Sequence, residues 1–229
     1  MQKVIDYYHN LLEQYGANDE RSMGWSKHKQ DIRFAQLFRF LLPVEKKEGT
    51  GSLLDIGCGF GDLYTFIKNN SRYSRMDYFG IDMMEEFIDI AVRNHPEICD
   101  KFKCCEFLKM KGEQSYDYCV GSGIFGHKMY ESEDAIYELV EKQMGKALEQ
   151  SRIGVAFDFL SDKVDYRTSS EDFHASPERI LEISYRLSRR VIIDNSVMPF
   201  EFCVTIFKDD SYRTETTIFN GIKQKDTGV

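Results

Sequence analysis

The clearest chemistry in the chain lies in three glycines and the acids around them. In Leu53-Leu54-Asp55-Ile56-Gly57-Cys58-Gly59-Phe60-Gly61-Asp62-Leu63-Tyr64, an apolar run leads directly into glycines at 57, 59 and 61, and then into a helical pattern. Glycine tolerates φ > 0 and has no Cβ, so such a corner lets the backbone approach a ligand closely. The helix start behind it offers unpaired N–H groups. A triphosphate-binding loop requires G-x-x-x-x-G-K-[ST], and no Lys-Ser or Lys-Thr pair follows. A dinucleotide loop G-x-G-x-x-G counted from Gly57 requires glycine at position 62, where Asp62 stands and would repel a pyrophosphate. What remains is G-x-G-x-G with Asp55 two residues ahead of it.

A second acid ends the next apolar run, Tyr78-Phe79-Gly80-Ile81-Asp82-Met83, 27 residues after Asp55. Ligands of parallel sheets sit at the carboxyl ends of adjacent strands, where an acid some 20 residues past the loop can meet ribose hydroxyls. Two vicinal hydroxyls donate well to the two oxygens of one carboxylate. The competing reading makes Asp82 a solvated helix cap.

Asp55, the G-x-G-x-G loop and Asp82 together resemble motif I and the ribose-binding acid of the class I S-adenosylmethionine-dependent methyltransferases. The resemblance implies S-adenosyl-L-methionine as cofactor, a ligand without phosphate that carries a sulfonium and an ammonium group. It implies that Asp55, Gly57, Cys58 and Gly59 form the cofactor loop, that Asp82 holds the ribose, and that Met83 lies against ribose or adenine. In the same family Glu106 takes the place of an acid that contacts the adenine amino group, with Phe107 covering the ring. Ser122 and Gly123 fall where backbone and a small side chain approach the methionine part. Gly24-Trp25, Lys27, Gln30 and Arg33-Phe34, with Ala156 to Ser161 and Pro199 to Phe202, look like a group of small bacterial methyltransferases, for which no single acceptor is implied. Trp25 reads either as a lid on cofactor or acceptor, or as packing between the N-terminal helices and the sheet, with Arg33 salt-bridged nearby.

The elements that must position these residues follow from periodicity. Val4 to Tyr15 and Ile32 to Leu42 carry apolar residues at helical spacing, and Lys46 to Gly51 is turn-like. Strands are expected at 53–56, 78–81, 102–107, 116–120, 153–159, 191–193 and 200–207, with helices at 63–69, 85–94, 135–148 and 177–187. Alternating strands and helices give an α/β fold with a seven-stranded, mostly parallel, doubly wound sheet. The short link from Asp194 to Pro199 makes the last strand antiparallel. One methyltransferase domain over 1–229 is expected, with an N-terminal helical lid over 1–45, a Rossmann-like core over 52–207 and a tail over 211–229.

Methyl transfer is an in-line displacement with a neutral leaving group, so it needs alignment more than acid assistance. A base matters where the acceptor must lose a proton. His127 stands nearest in sequence to the expected methionine site and has a suitable ordinary pKa. Tyr130, Asp158, Tyr166 and His174 also follow strand ends. Ser122 is not a hydrolase nucleophile, since Val120 and Ile124 replace the glycines that motif requires.

The net charge of −8 gives no general attraction to nucleic acid or anionic membrane. After the fourth strand, Gly121-Ser122-Gly123-Ile124 stands where nucleic-acid amino-methylating enzymes carry an Asp/Asn-Pro-Pro-aromatic motif, and no Pro-Cys pair occurs. A small-molecule acceptor, methylated on O or N, is therefore favoured. An RNA or protein methyltransferase and a non-catalytic cofactor-binding regulatory module are the alternatives. The six cysteines lack metal-ligand spacing, and no signal-peptide core or membrane-length apolar run is present, so a soluble cytoplasmic protein without bound metal is expected.

Overall fold

The fold comes from a computed structural model that describes residues 2–17, 19–23, 27–41, 50–111, 115–128, 132–166 and 171–208. Seven strands form one sheet: β1 (Thr50–Ile56), β2 (Arg75–Asp82), β3 (Phe102–Cys104), β4 (Tyr116–Gly121), β5 (Ser151–Leu160), β6 (Arg190–Asp194) and β7 (Glu201–Phe207). Their order is β3-β2-β1-β4-β5-β7-β6. The first five run parallel, whereas β7 pairs antiparallel with both β5 and β6. The six-residue link between β6 and β7 is too short for a helical crossover, so the chain turns back as a hairpin.

Alternation along the central strands builds two cores. Leu54, Cys119, Val155 and Phe157 face α5 (Glu133–Gln150) and α6 (Pro177–Leu187). Leu53, Tyr118, Val120 and Ala156 face α2 (Lys27–Leu41), α3 (Asp62–Asn69) and α4 (Glu85–Asn94). Neighbouring residues thus serve opposite faces of one sheet, as the pleat requires. The N-terminal helix α1 (Gln2–Tyr15) stands outside both layers. Its Tyr8 and Leu12 join Met23 and Met83 against Phe60, Met84, Phe87 and Ile90.

Strand β3 ends earlier than its sequence suggests. After Cys104 the Cys105 N–H still reaches the Asp82 carbonyl at 2.7 Å, but Phe107–Lys109 then turn into a short 3-10 helix. Among the described residues, no helix is long and apolar enough to cross a membrane.

Candidate functional site

From β1 the chain passes through β2 to β3 on one side, and then returns to the other side of β1 as β4. Strand order reverses there, and the carboxyl ends of β1 and β4 diverge to leave a crevice. The cavity at this point encloses about 1210 Å³, counting its open mouth. Every predicted cofactor residue except Gly59 lines it, and so does His127. Trp25 and Tyr130 lie outside the described residues.

The glycine loop is anchored through its own backbone. The N–H groups of Gly57 and Cys58 donate to the Ile81 carbonyl at 2.8 and 2.9 Å. Gly57 has φ 74° and Gly59 φ 54°, in the left-handed region where a side chain is strained. A Cβ on Gly57 would also collide with Ile124, across the floor of the cavity. The Gly59 N–H donates to Asp82 Oδ2 at 3.0 Å and so holds the acid in place.

Asp82 also accepts from the Met84 N–H at 3.0 Å, which fixes the carboxylate at the end of β2. Asp82 is a buried wall group and not a solvated helix cap, since α4 has no side-chain cap and the carboxylate braces the turn before it. Burial raises its pKa, opposed by the backbone N–H groups of Met84, Gly59 and Met83. Asp55, on the neighbouring strand, is only 3% exposed. Its carboxylate accepts from the Tyr78 hydroxyl at 2.7 Å. Burial pushes it up to about 7, and the nearby Asp82, Asp62 and Asp158 add to the rise.

Beyond β3, Glu106 is tied to Lys109 at 2.7 Å, while Phe107 is buried with its ring near Lys146. Beyond β4, Asp158 of β5 organises the turn. It accepts from Ser122 Oγ at 2.5 Å and from the Gly123 N–H at 2.6 Å. Asp158 is therefore a positioning group and not a free base. Tyr166 is half-exposed, His174 Nδ1 lies 2.7 Å from the Ser161 carbonyl oxygen, and neither lines the cavity.

The opposite wall comes largely from the N-terminal segment expected as a lid, although Val4, Tyr8, Met23 and Asp62 were not expected on it. Val4 and Tyr8 of α1, with Met23, Gln30 and Asp62, also border the space. Gln30 donates to Asp62 Oδ2 at 3.3 Å. Arg33 borders the cavity as well, but its guanidinium makes a bidentate pair with Glu201. That pair is buried, with both side chains 3% exposed. The sequence signals for this wall were Gln30 and Arg33 in the stretch before the glycine loop and the helical period of the expected N-terminal lid.

The result is a cavity rich in carboxyl groups. Asp55, Asp62, Asp82 and Glu106 stand on its wall, and the one cation among its lining residues, Arg33, already faces Glu201. No cluster of His, Cys, Asp and Glu suited to a metal occurs among the described residues. Such a wall suits a ligand bearing positive charge and sugar hydroxyls, and disfavours a polyphosphate.

No protein-family model matches the chain, and no curated protein is similar to it in sequence. Solved structures are similar in fold. The magnesium protoporphyrin IX methyltransferase ChlM from Synechocystis PCC 6803, with bound SAH, superposes with a TM-score of 0.62 at 12% identity, over 91% of this chain and 100% of that one. The DhpI–SAH complex gives 0.57 at 16% identity, over 87% and 92%. The small RNA methyltransferase HEN1 gives 0.56 at 15%, over 81% of this chain and 26% of its own length. The chain therefore has the class I S-adenosylmethionine-dependent methyltransferase fold.

Proposed function

We propose that this protein transfers a methyl group from S-adenosyl-L-methionine to a small-molecule acceptor. The observation that carries the reading is the acidic wall at the strand-order switch, with Asp55 and Asp82 at the ends of adjacent strands and the Gly57–Gly61 loop between them. Asp82 receives the ribose hydroxyls, Asp55 lies toward the ammonium end, Ser122 and Gly123 border the methionine part, and Met83, Glu106 and Phe107 border the adenine. When bound, the cofactor supplies an electrophilic methyl group on a cationic sulfur. The chain's own residues supply alignment and exclusion of water, which account for most of the catalysis such a displacement needs. Residues 1–45 act as a lid, a reading supported by Val4 and Tyr8 of α1 on the cavity wall.

The small-molecule acceptor is favoured over RNA by the charge of −8 and by the partly enclosed cavity, which offers no basic groove among its lining residues. The test is transfer of labelled methyl from S-adenosyl-L-methionine into fractionated cell extract. Label in the small-molecule fraction is expected. Label confined to RNA or protein would overturn the acceptor class, and binding without transfer would favour a regulatory module.

A further inference from the structure

One polar pair on the cavity wall is left over by the cofactor reading. The Tyr8 hydroxyl of α1 lies 3.1 Å from His127 Nε2, and both side chains line the cavity. The His127 loop is fixed from behind by a short antiparallel pairing. Phe173 N–H donates to the Gly126 carbonyl at 3.0 Å, and Lys128 N–H donates to that of Glu171 at 2.9 Å. The rings of Tyr7 and Tyr8 flank the imidazole, with centroids at 4.6 and 5.3 Å.

The titratable groups facing this pair are few. Tyr7 belongs to α1, Glu171 and Asp172 belong to the strap behind His127, and Asp82 and Arg33 act on Tyr8 from β2 and α2. Burial lowers the imidazole pKa, opposed by Asp172 and Glu171. Burial is also the main force holding the Tyr8 phenol in its protonated form. At neutral pH both groups are un-ionised, and in the tautomer with the ring proton on Nδ1 the phenol donates to Nε2. The remaining lone pair of the Tyr8 oxygen is left to accept a proton from the cavity.

We propose that Tyr8 and His127 form a proton relay for a phenolic acceptor, with Tyr8 touching the acceptor and His127 acting through it. The relay rests on the methyl-transfer reading above. As the acceptor oxygen bonds to the methyl carbon, the carbon–sulfur bond breaks and its electron pair stays on sulfur. The acceptor's proton passes to the Tyr8 oxygen, while Tyr8 passes its own to Nε2. Positive charge thus leaves sulfur and ends on an imidazolium beside Asp172 and Glu171, which yields its proton to solvent after release of product.

Two features select a phenol. The imidazole takes the proton in the end, and a phenol, with an ordinary pKa near about 10, gives one up more readily than an aliphatic hydroxyl. A water-like hydroxyl, at about 15.7, opposes the same step. The surrounding lining, Val4, Met23, Phe87 and Ile124, is apolar, and Arg33 is engaged by Glu201, so an anionic acceptor finds no dedicated cation there.

The relay is tested in the full chain by ring-nitrogen NMR of His127 in the SAH complex, alongside labelled methyl transfer to a panel of substituted phenols. Wild type is expected to show the Nδ1–H tautomer with a low titration midpoint, and Tyr8→Phe to shift the Nε2 signal and raise that midpoint. Transfer to phenols should fall about 100-fold or more in Tyr8→Phe and in His127→Gln, with the double variant no slower than either single. SAH affinity should stay within about twofold in all three, because the relay lies on the acceptor side. Unmoved imidazole signals, undiminished transfer in Tyr8→Phe, or a wild type that binds SAH yet methylates no phenol would each overturn the relay. A wild type that fails to bind SAH defeats the methyl-transfer reading itself, and the relay with it.

Discussion

Binding of the cofactor should be coupled to loss of a proton from Asp55. In the free protein burial holds this carboxyl at about 7, even with the Tyr78 hydroxyl donating to it. A ligand ammonium beside it offsets that burial and returns the carboxyl toward its ordinary value near 3.9. Between pH 7 and pH 5 the free carboxyl goes from half to almost fully protonated, so affinity must fall by up to about tenfold per pH unit. Over that window the loss amounts to about 50-fold, or about 2.3 kcal/mol. Above pH 8 the curve should flatten. The same group has the opposite effect on the free fold. Its raised pKa means that the native state holds a proton the unfolded chain has lost, so its contribution to stability declines as pH rises from about 3.9 to about 7. Calorimetry with SAH from pH 5 to pH 8, in buffers of different ionisation enthalpy, reads the proton release directly. Asp55→Asn should abolish the slope, matching wild-type affinity at pH 5 and falling well below it at pH 8. A flat wild-type curve, or the same slope in Asp55→Asn, would refute the assignment of Asp55 to the ammonium.

Two further outcomes follow from packing. Replacing either partner of the buried Arg33–Glu201 pair removes the other's bidentate counter-ion in the core. Arg33→Met or Glu201→Gln should each cost about 3–5 kcal/mol in urea unfolding, while Arg33→Met combined with Glu201→Leu should recover much of the loss. Gly57→Ala should lower the melting temperature and abolish SAH binding. Adding Ile124→Ala relieves the collision but leaves about 1–2 kcal/mol of backbone strain at φ 74°, so rescue should be incomplete.

The fold was legible because its signals are local. Apolar runs such as Leu53–Ile56, separated by helical periods, announce parallel strands with crossovers, and the short link after Asp194 announces the antiparallel return. The acidic wall of the cavity was legible for a similar reason, since Asp55 and Asp82 end adjacent strands and the glycine loop lies between them in sequence. The other wall depends on long-range meetings that no period encodes. Tyr8 reaches His127 across 119 positions, and Arg33 reaches Glu201 across 168. Asp158 read as a candidate base from its place near a strand end, but the turn it serves belongs to a different strand, and only the sheet brings Ser122 and Gly123 to it. The bond from the Gly59 N–H to Asp82 was not legible, because spacing reveals a glycine's freedom but not which acceptor its N–H finds.

The central claim is that this cavity binds S-adenosylmethionine through Asp82, and calorimetry at pH 8 tests it most directly. Wild type should bind SAH in a saturable one-to-one isotherm and ignore NAD. Asp82→Ala should weaken SAH at least about 100-fold, since it removes both the hydroxyl acceptors and the anchor for the Gly59 N–H. A wild type that ignores SAH but binds NAD, or an Asp82→Ala variant that binds SAH as tightly as wild type, would contradict the account.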